Sequence, residues 1–199
     1  MVMIKDRIGK AGVQLSYMIY DLSLIVNTRW WRWLTCWFGG CTGVHVAYRI
    51  DRFFYLLLGQ SWGVIRIAFF PFFLFWRVLS TKYEIHYMAD IGKGLRILHP
   101  SLGVVINGNA IIGDHLILTG GNCIGGKKKL NRGDIWIGNH VSLGANAVVL
   151  GPIQIGNQVT IGAGAVVVDN FEDGVTVAGV PARIVRRSTG DQEDSEIQQ

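Results

Sequence analysis

Aliphatic residues recur every six positions along the second half of the chain, and few folds tolerate that period. They stand at Ile85, Ile91 and Ile97, then at Ile106, Ile112, Leu118 and Ile124, then at Ile137, Leu143, Val149, Ile155, Ile161 and Val167. Glycine follows directly at Gly92, Gly113, Gly125, Gly138, Gly144, Gly156 and Gly162. Four places after the aliphatic comes a small or apolar residue, such as Ala89, Leu95, Ser101, Ala110, Leu116, Val141 or Ala147. Asn122 breaks that rule in the manner of a stacked polar position. A period of six matches neither the 3.6 residues of a helix nor the two-residue alternation of a sandwich strand. It matches a coil of short strands, each ending in a turn. The glycine relieves crowding at the corner or allows a positive φ. Hexads of this kind are the signature of a parallel β-helix, whose coils bury their aliphatics only by stacking. With three sides per coil, the hexads make about four coils, above the roughly three repeats that stability requires.

The register fails twice. Ile97 to Ile106 is longer by three residues, around Pro100, Ser101 and Leu102, just after His99. Ile124 to Ile137 is longer by seven, around the basic stretch Lys127 to Asp134. Insertions in a solenoid loop out on one face, often the binding face.

Three regions follow: residues 1–82, aromatic and aperiodic; residues 83–187, the repeats; and residues 188–199, an acidic, polar tail expected to be flexible. Between Arg29 and Lys82 lie seven basic residues, one acid (Asp51) and six of the seven tryptophans. Basic residues interleaved with aromatics suit nucleic acid or an anionic membrane, and apolar runs such as Phe69 to Trp76 favour the membrane and exclude nucleic acid. Residues 53–79 are long enough to span a bilayer, but Gly59, Gln60, Gly63, Arg66 and Pro71 interrupt them. An interfacial or re-entrant helical pair is expected, with a helical cap packed on the β-helix as the competing reading. Three cysteines without a CxxC pair, and no cleavable signal pattern, place the chain in a reducing compartment.

Residues 84–187 resemble the serine acetyltransferase branch of the hexapeptide-repeat acyltransferases. The matching segments are EIHYMADIGKGLRILHPSLGVVIN, CIGG, WIGNHVSLGANAVVLGPIQIGNQVTIGAGAVV and the closing VAGVPARIV. Within that branch the chain is most similar to enzymes that O-acetylate bacterial cell-surface polysaccharides. The resemblance implies a left-handed β-helix, a homotrimer, acetyl-CoA in the groove between adjacent β-helices, and direct transfer without an acyl-enzyme. It implies His99 as general base and Glu84 as the carboxylate that holds its tautomer. Such roles suit the chemistry, since a neutral imidazole can remove a hydroxyl proton during attack. The resemblance assigns acetyl-CoA to Gly125, Gly126, Ala145, Ala163 and Gly179. Lys127 and Arg183 are candidates for its phosphates, and Arg132 with Asn131 for the acceptor. His45, His86, His115 and His140 read as turn or surface residues, with His86 a minor candidate.

Two departures bear on the acceptor. Leu98 stands where the parent enzymes carry Asp, and Arg132 where they carry a second His; their long helical N-terminal domain also looks replaced. A sugar hydroxyl of a surface polysaccharide or its precursor is therefore the expected acceptor, with the protein peripheral on the cytoplasmic side of a bacterial inner membrane. Serine O-acetylation is the alternative. A zinc enzyme with three histidine ligands is disfavoured, because His86, His99 and His115 lack the HxxxxH pattern, and no metal site is expected. A non-catalytic scaffold is the remaining possibility.

Overall fold

The computed structural model describes residues 2–26, 41–68, 83–126 and 128–187. Among the described residues three helices precede the repeats: α1 (Val2–Val26), α2 (Cys41–Leu58) and α3 (Ser61–Ala68). The break between α2 and α3 falls where the sequence interrupts its apolar run, at Gly59 with φ +65°. Residues 69–82, which hold Pro71 and the rest of the expected helical pair, lie outside the described residues, as does the tail from 188.

The repeats form a parallel β-helix of four coils and a fifth begun. Coil one is β1 (Tyr83–Ile85), β2 (Asp90–Ile91) and β3 (Arg96–Ile97). Coil two is β4 (Val104–Ile106), β5 (Ala110–Ile112) and β6 (Ile117–Leu118). Coil three is β7 (Asn122–Gly126), β8 (Ile135–Ile137) and β9 (Ser142–Leu143). Coil four is β10 (Val148–Gly151), β11 (Ile153–Ile155) and β12 (Thr160–Ile161). The fifth holds β13 (Val166–Val167), a bridge from Phe171 to Ile155, and β14 (Val175–Ala178), on which β15 (Arg183–Arg187) folds back antiparallel. Each side is a parallel ladder: β1-β4-β7-β10-β13 on side one, β2-β5-β8-β11 on side two, and β3-β6-β9-β12-β14 on side three.

The hexad aliphatics fill the interior. From Ile91 to Val167 every one is buried, and Ile85 packs against them from the open end. Asn122 is buried among them, and its amide is satisfied: Oδ1 accepts from Gly120 N–H at 2.9 Å, and Nδ2 donates to the Gly144 carbonyl at 2.7 Å. Ser101 does not take the inner position that the hexad spacing assigned to it. It is exposed in a short 3-10 turn, Pro100–Leu102, and Val104 is buried instead, because the three-residue insertion displaces the register by its own length. The glycines after the aliphatics serve by lacking a side chain. A Cβ on Gly144 would stand 2.5 Å from the Ala163 nitrogen of the next coil.

The helices close the open end of the solenoid. His45, Tyr48, Arg49 and Arg52 are spaced i, i+3, i+4, i+7 on α2 and so share one face. That face lies against the first coil. His45 Nε2 meets the Leu95 carbonyl at 3.1 Å, and Tyr48 donates to Ala89 O at 3.0 Å. Arg49 donates to Ile91 O and Gly92 O at 2.7 and 2.6 Å, and Arg52 to Met88 O at 2.9 Å. These side chains satisfy carbonyls whose burial would otherwise be costly. His45 is thus fully buried, against its reading as a turn or surface residue. Of the seven basic residues expected to seek a membrane, Arg29, Arg32, Arg77 and Lys82 lie outside the described residues. Arg49 and Arg52 are buried in the cap, and Arg66 pairs with Asp51 at 3.3 Å. No described helix is long and apolar enough to cross a membrane.

Candidate functional site

His99 follows β3 at the corner between sides three and one. Its φ of −126° and ψ of 74° turn the chain into Pro100–Leu102. Its N–H donates to Thr119 O at 2.9 Å, and its carbonyl accepts from Leu102 N–H at 3.1 Å, so the backbone under the side chain is fixed. The side chain itself is exposed. Leu98 beside it in the chain and Leu102, whose N–H bonds to its carbonyl, are 44% and 55% exposed. A proton-accepting imidazole here would have an apolar rim.

Beneath His99 the same corner continues coil by coil. Gly120 lies under it, where a Cβ would stand 2.5 Å from His99 O. Asn146 N–H bonds to Gly120 O at 2.9 Å and Gly164 N–H to Ala145 O at 2.8 Å. The ladder of β12 on β14 then sets Ala163 above Gly179. His99, Gly120, Ala145, Ala163 and Gly179 therefore form one column. At the strand spacing of about 4.8 Å per step it runs roughly 19 Å. Small residues keep its surface low, so an extended ligand can approach the main chain.

Gly125 and Gly126 stand elsewhere. They end β7 at the opposite edge of side one, opposite Leu150 and Gly151. A Cβ on Gly126 would collide with Leu130 Cδ1 at 2.5 Å, so that glycine makes room for the long loop. Lys127 lies outside the described residues, and Lys128 and Lys129 are exposed. Arg183, near the foot of the column, is engaged by Asp169 at 2.8 Å in an exposed pair. A phosphate there would compete with that carboxylate.

The long loop folds back on the corner between sides one and two. Asn109 Nδ2 donates to Leu130 O at 2.8 Å, Gly133 N–H to Asn109 O at 2.9 Å, and Asn131 N–H to Asp134 Oδ2 at 2.7 Å. Arg132 is held by Asp90 at 2.7 Å, and Asp90 also takes Arg52 at 3.0 Å. Within one chain, Arg132 and Asn131 are thus not brought to His99. They occupy the other edge of side one.

Glu84 lies on the outward face of β1, beside Val105 and, one strand further, Cys123. Its charge acts on His86, two residues along. Burial, reinforced by the Arg66 guanidinium, holds the His86 imidazole below its ordinary range, while Asp51 and Glu84 oppose that. Asp51 is itself pushed up by burial, against the pull of Arg66 and a hydrogen bond from Trp62 Nε1 at 2.8 Å. One pointer to this cluster is visible without the structure: Asp51 is the only acid between Arg29 and Lys82. Among the described residues no three His, Cys, Asp or Glu side chains are grouped to hold a metal ion.

Comparison with known proteins places this geometry. The family model for the bacterial transferase hexapeptide (six repeats) matches residues 134–169. The putative colanic acid biosynthesis acetyltransferase WcaB of Escherichia coli strain K12 is 36% identical over 147 residues, covering 70% of this chain and 86% of WcaB. The serine acetyltransferase of Synechococcus elongatus is 43% identical over 111 residues, covering 55% of this chain but 45% of that enzyme. Among solved structures, serine acetyltransferase from Neisseria gonorrhoeae superposes with a TM-score of 0.72 at 28% identity, over 98% of this chain and 75% of that one. A serine acetyltransferase in complex with CoA superposes with a TM-score of 0.57 at 28% identity, over 72% of this chain and 55% of that one. The Neisseria superposition takes in the helical end as well as the repeats. The described helices α1 to α3 thus fall within the part of the chain that superposes on that enzyme. The chain belongs to the bacterial hexapeptide-repeat transferases, in the branch that holds WcaB and the serine acetyltransferases.

Proposed function

We propose that the protein transfers an acetyl group from acetyl-CoA to a sugar hydroxyl of a cell-surface polysaccharide or its precursor, with His99 as general base. The observation that carries this reading is the column of small residues descending from an exposed, backbone-anchored His99. The pantetheine arm lies along Ala145, Ala163 and Gly179, with its thioester at the His99 end. His99 takes the proton from the acceptor hydroxyl as the oxygen attacks the thioester carbonyl carbon. The tetrahedral intermediate collapses by breaking the carbon–sulfur bond, and the protonated imidazole returns the proton to the leaving thiolate. Glu84 orients the imidazole and stabilises its charged form.

A homotrimer completes the site in this reading. A three-fold interface is heterologous, so one edge of a subunit faces a different edge of its neighbour. The His99 corner would then meet the Gly125, Gly126, Asn131 and Arg132 edge of an adjacent subunit, a reading that the separation of those two edges within one chain supports. Exposed Leu98, Leu102 and Val105 supply apolar area for that contact. Placement at the cytoplasmic surface of a bacterial inner membrane is part of the proposal, supported by exposed Val64 and Ile67 flanking Arg66 on α3.

Two observations support a glycan acceptor: the WcaB match is the broader in sequence, and Leu98 puts an apolar side chain beside the base. The superposition on Neisseria serine acetyltransferase favours the second reading, serine. Thiol release from acetyl-CoA, measured with free serine and with surface-polysaccharide oligosaccharides, separates them. Glycan-dependent release that His99→Ala abolishes is expected. Robust turnover of serine would overturn the glycan reading, and full activity of His99→Ala would overturn the base.

A further inference from the structure

The corner between sides two and three carries its own column, and none of the roles above uses it. Gly94, His115, His140, Gln158 and Gly174 succeed one another there, all with positive φ between 55° and 80°. The shared left-handed turn points successive side chains the same way. The His115 and His140 rings are consequently stacked, with centroids 4.7 Å apart and planes within 10°. Tyr20 of α1 meets His115 edge-on at 5.9 Å, and Lys93 Nζ lies 5.6 Å from the Tyr20 ring centre.

These rings flank an open cavity of about 280 Å³ lined by Leu24, Gly94, Arg96, His115, Ile117 and His140. None of the lining residues is acidic. Arg49, Arg52, Arg66, Arg132 and Arg183 each meet a carboxylate. Arg96 is exposed and meets none among the described residues. The nearby carboxylates are occupied. Asp21 is bound by Arg49 and by Gly94 N–H, and Asp114 Oδ1 accepts from Lys93 N–H at 3.0 Å. A guanidinium with no carboxylate partner among the described residues, beside stacked rings, with a lysine behind and an apolar floor, is equipped for an anion attached to a ring-shaped, partly apolar body.

We propose that this cavity is an acceptor subsite for an acidic sugar unit, one bearing a carboxylate or phosphate. Arg96 binds the anion, the His115 and His140 rings supply a face and hydrogen-bonding nitrogens, and Leu24 and Ile117 receive the apolar side of the sugar. The inference rests on the reading of His99 as the site of transfer. Arg96 and His99 stand at the two ends of one extended segment, three residues apart and so about 10 Å along it. An oligosaccharide can occupy both positions, and a free amino acid cannot. The donor is not the fitting occupant, because its column descends from His99 along the far edge of side three.

The test is titration of the full chain with a glucuronate-containing tetrasaccharide, with neutral maltotetraose and with CoA, read by calorimetry and by the imidazole resonances of His115 and His140. Expected is binding of the acidic tetrasaccharide about tenfold tighter than maltotetraose, the gain of one charge-assisted pair. Both imidazoles should shift, Arg96→Gln should erase the preference, and His99→Ala should keep it. Arg96 is exposed, so its variant should retain the unfolding midpoint and the maltotetraose affinity of the parent. Equal affinity for the two sugars, a preference that survives Arg96→Gln, or displacement of the acidic sugar from the imidazoles by CoA would each overturn the proposal. If His99→Ala binds the acidic sugar normally and also stays active, the base reading falls while the subsite stands.

Discussion

Arg49 clasps Asp21 with both side chains fully buried, Nε and Nη2 reaching the same carboxylate oxygen at 3.0 and 2.9 Å. The pair joins α1 to α2. The spare donors of the arginine reach Ile91 O and Gly92 O of the first coil, and Asp21 Oδ1 accepts from Gly94 N–H at 2.6 Å. Two helices and the end of the solenoid thus meet in one hydrogen-bonded knot. Removing a single partner strands the other charge away from water. Arg49→Met should therefore destabilise the fold by about 3–5 kcal/mol, and the double change Arg49→Met with Asp21→Asn by clearly less than the sum of the single changes. Urea unfolding of the single and double variants checks this; simple additivity would show that the knot is not a coupled unit.

Tyr48, on the same helix face, gives the cap an alkaline limit. Burial pushes its hydroxyl up to about 12, against the lowering influence of Arg49 and Arg52. A group whose folded value is raised contributes stability that is complete below its unfolded value and is lost as pH rises through the folded one. The loss should run from about pH 10 to about pH 12 and amount to about 2–3 kcal/mol. Tyr48→Phe should be less stable at neutral pH, lacking the bond to Ala89 O, yet flatter across that window. Unfolding midpoints of both proteins between pH 8 and 12 measure it.

Glycines of the repeat divide into those the stacking demands and those it does not. A Cβ at Gly144 would meet the Ala163 backbone, whereas one at Gly125 would have only Cys123 Sγ, at 3.8 Å. Gly144→Ala should cost about 1–3 kcal/mol, as overpacking against backbone does. Gly125→Ala should stay within about 0.5 kcal/mol of the parent. If acetyl-CoA approaches the main chain at Gly125, that variant will raise the KM for acetyl-CoA without moving the thermal midpoint, and the pair of readouts separates the two roles.

Among the described residues Asn122 is the one buried polar residue of the hexad interior. Asn122→Leu keeps the branching and the number of heavy atoms but leaves Gly120 N–H and Gly144 O without their partner, for a loss of about 1–3 kcal/mol. Hydrogen exchange at the Gly120 amide should accelerate by more than at the Val149 amide, deep in β10. Equal acceleration at both would show a general loss of stability rather than a local one.

The repeats were legible because a solenoid writes its contacts at a fixed spacing. Each aliphatic from Ile91 to Val167 meets its counterpart one coil away, so a local pattern encodes a long-range structure. The register misled only at Ser101, where an insertion moves the inner position to Val104. The cap was far less legible. His45, Tyr48, Arg49 and Arg52 are polar residues on a helix face that turns inward, and nothing short of the exposed carbonyls of coil one reveals that inward is where they point. Read without those carbonyls, Arg49 and Arg52 looked like membrane-seeking cations. At the site, His99 and the small-residue column could be picked out by resemblance. That Arg132 sits on the other edge of side one, bound to Asp90, depends on how a seven-residue insertion folds, and no periodicity carries that.

The column below His99 is built from whole coils, so its length is quantised. Any extended ligand lying along it is measured in steps of about 4.8 Å, with nothing between them. Changing the reach of such a groove takes the insertion or deletion of an entire turn of chain, which the stacked ladder accepts without altering any corner. The protein thus carries a ruler whose graduations are its own repeats, and point substitutions leave its markings where they are.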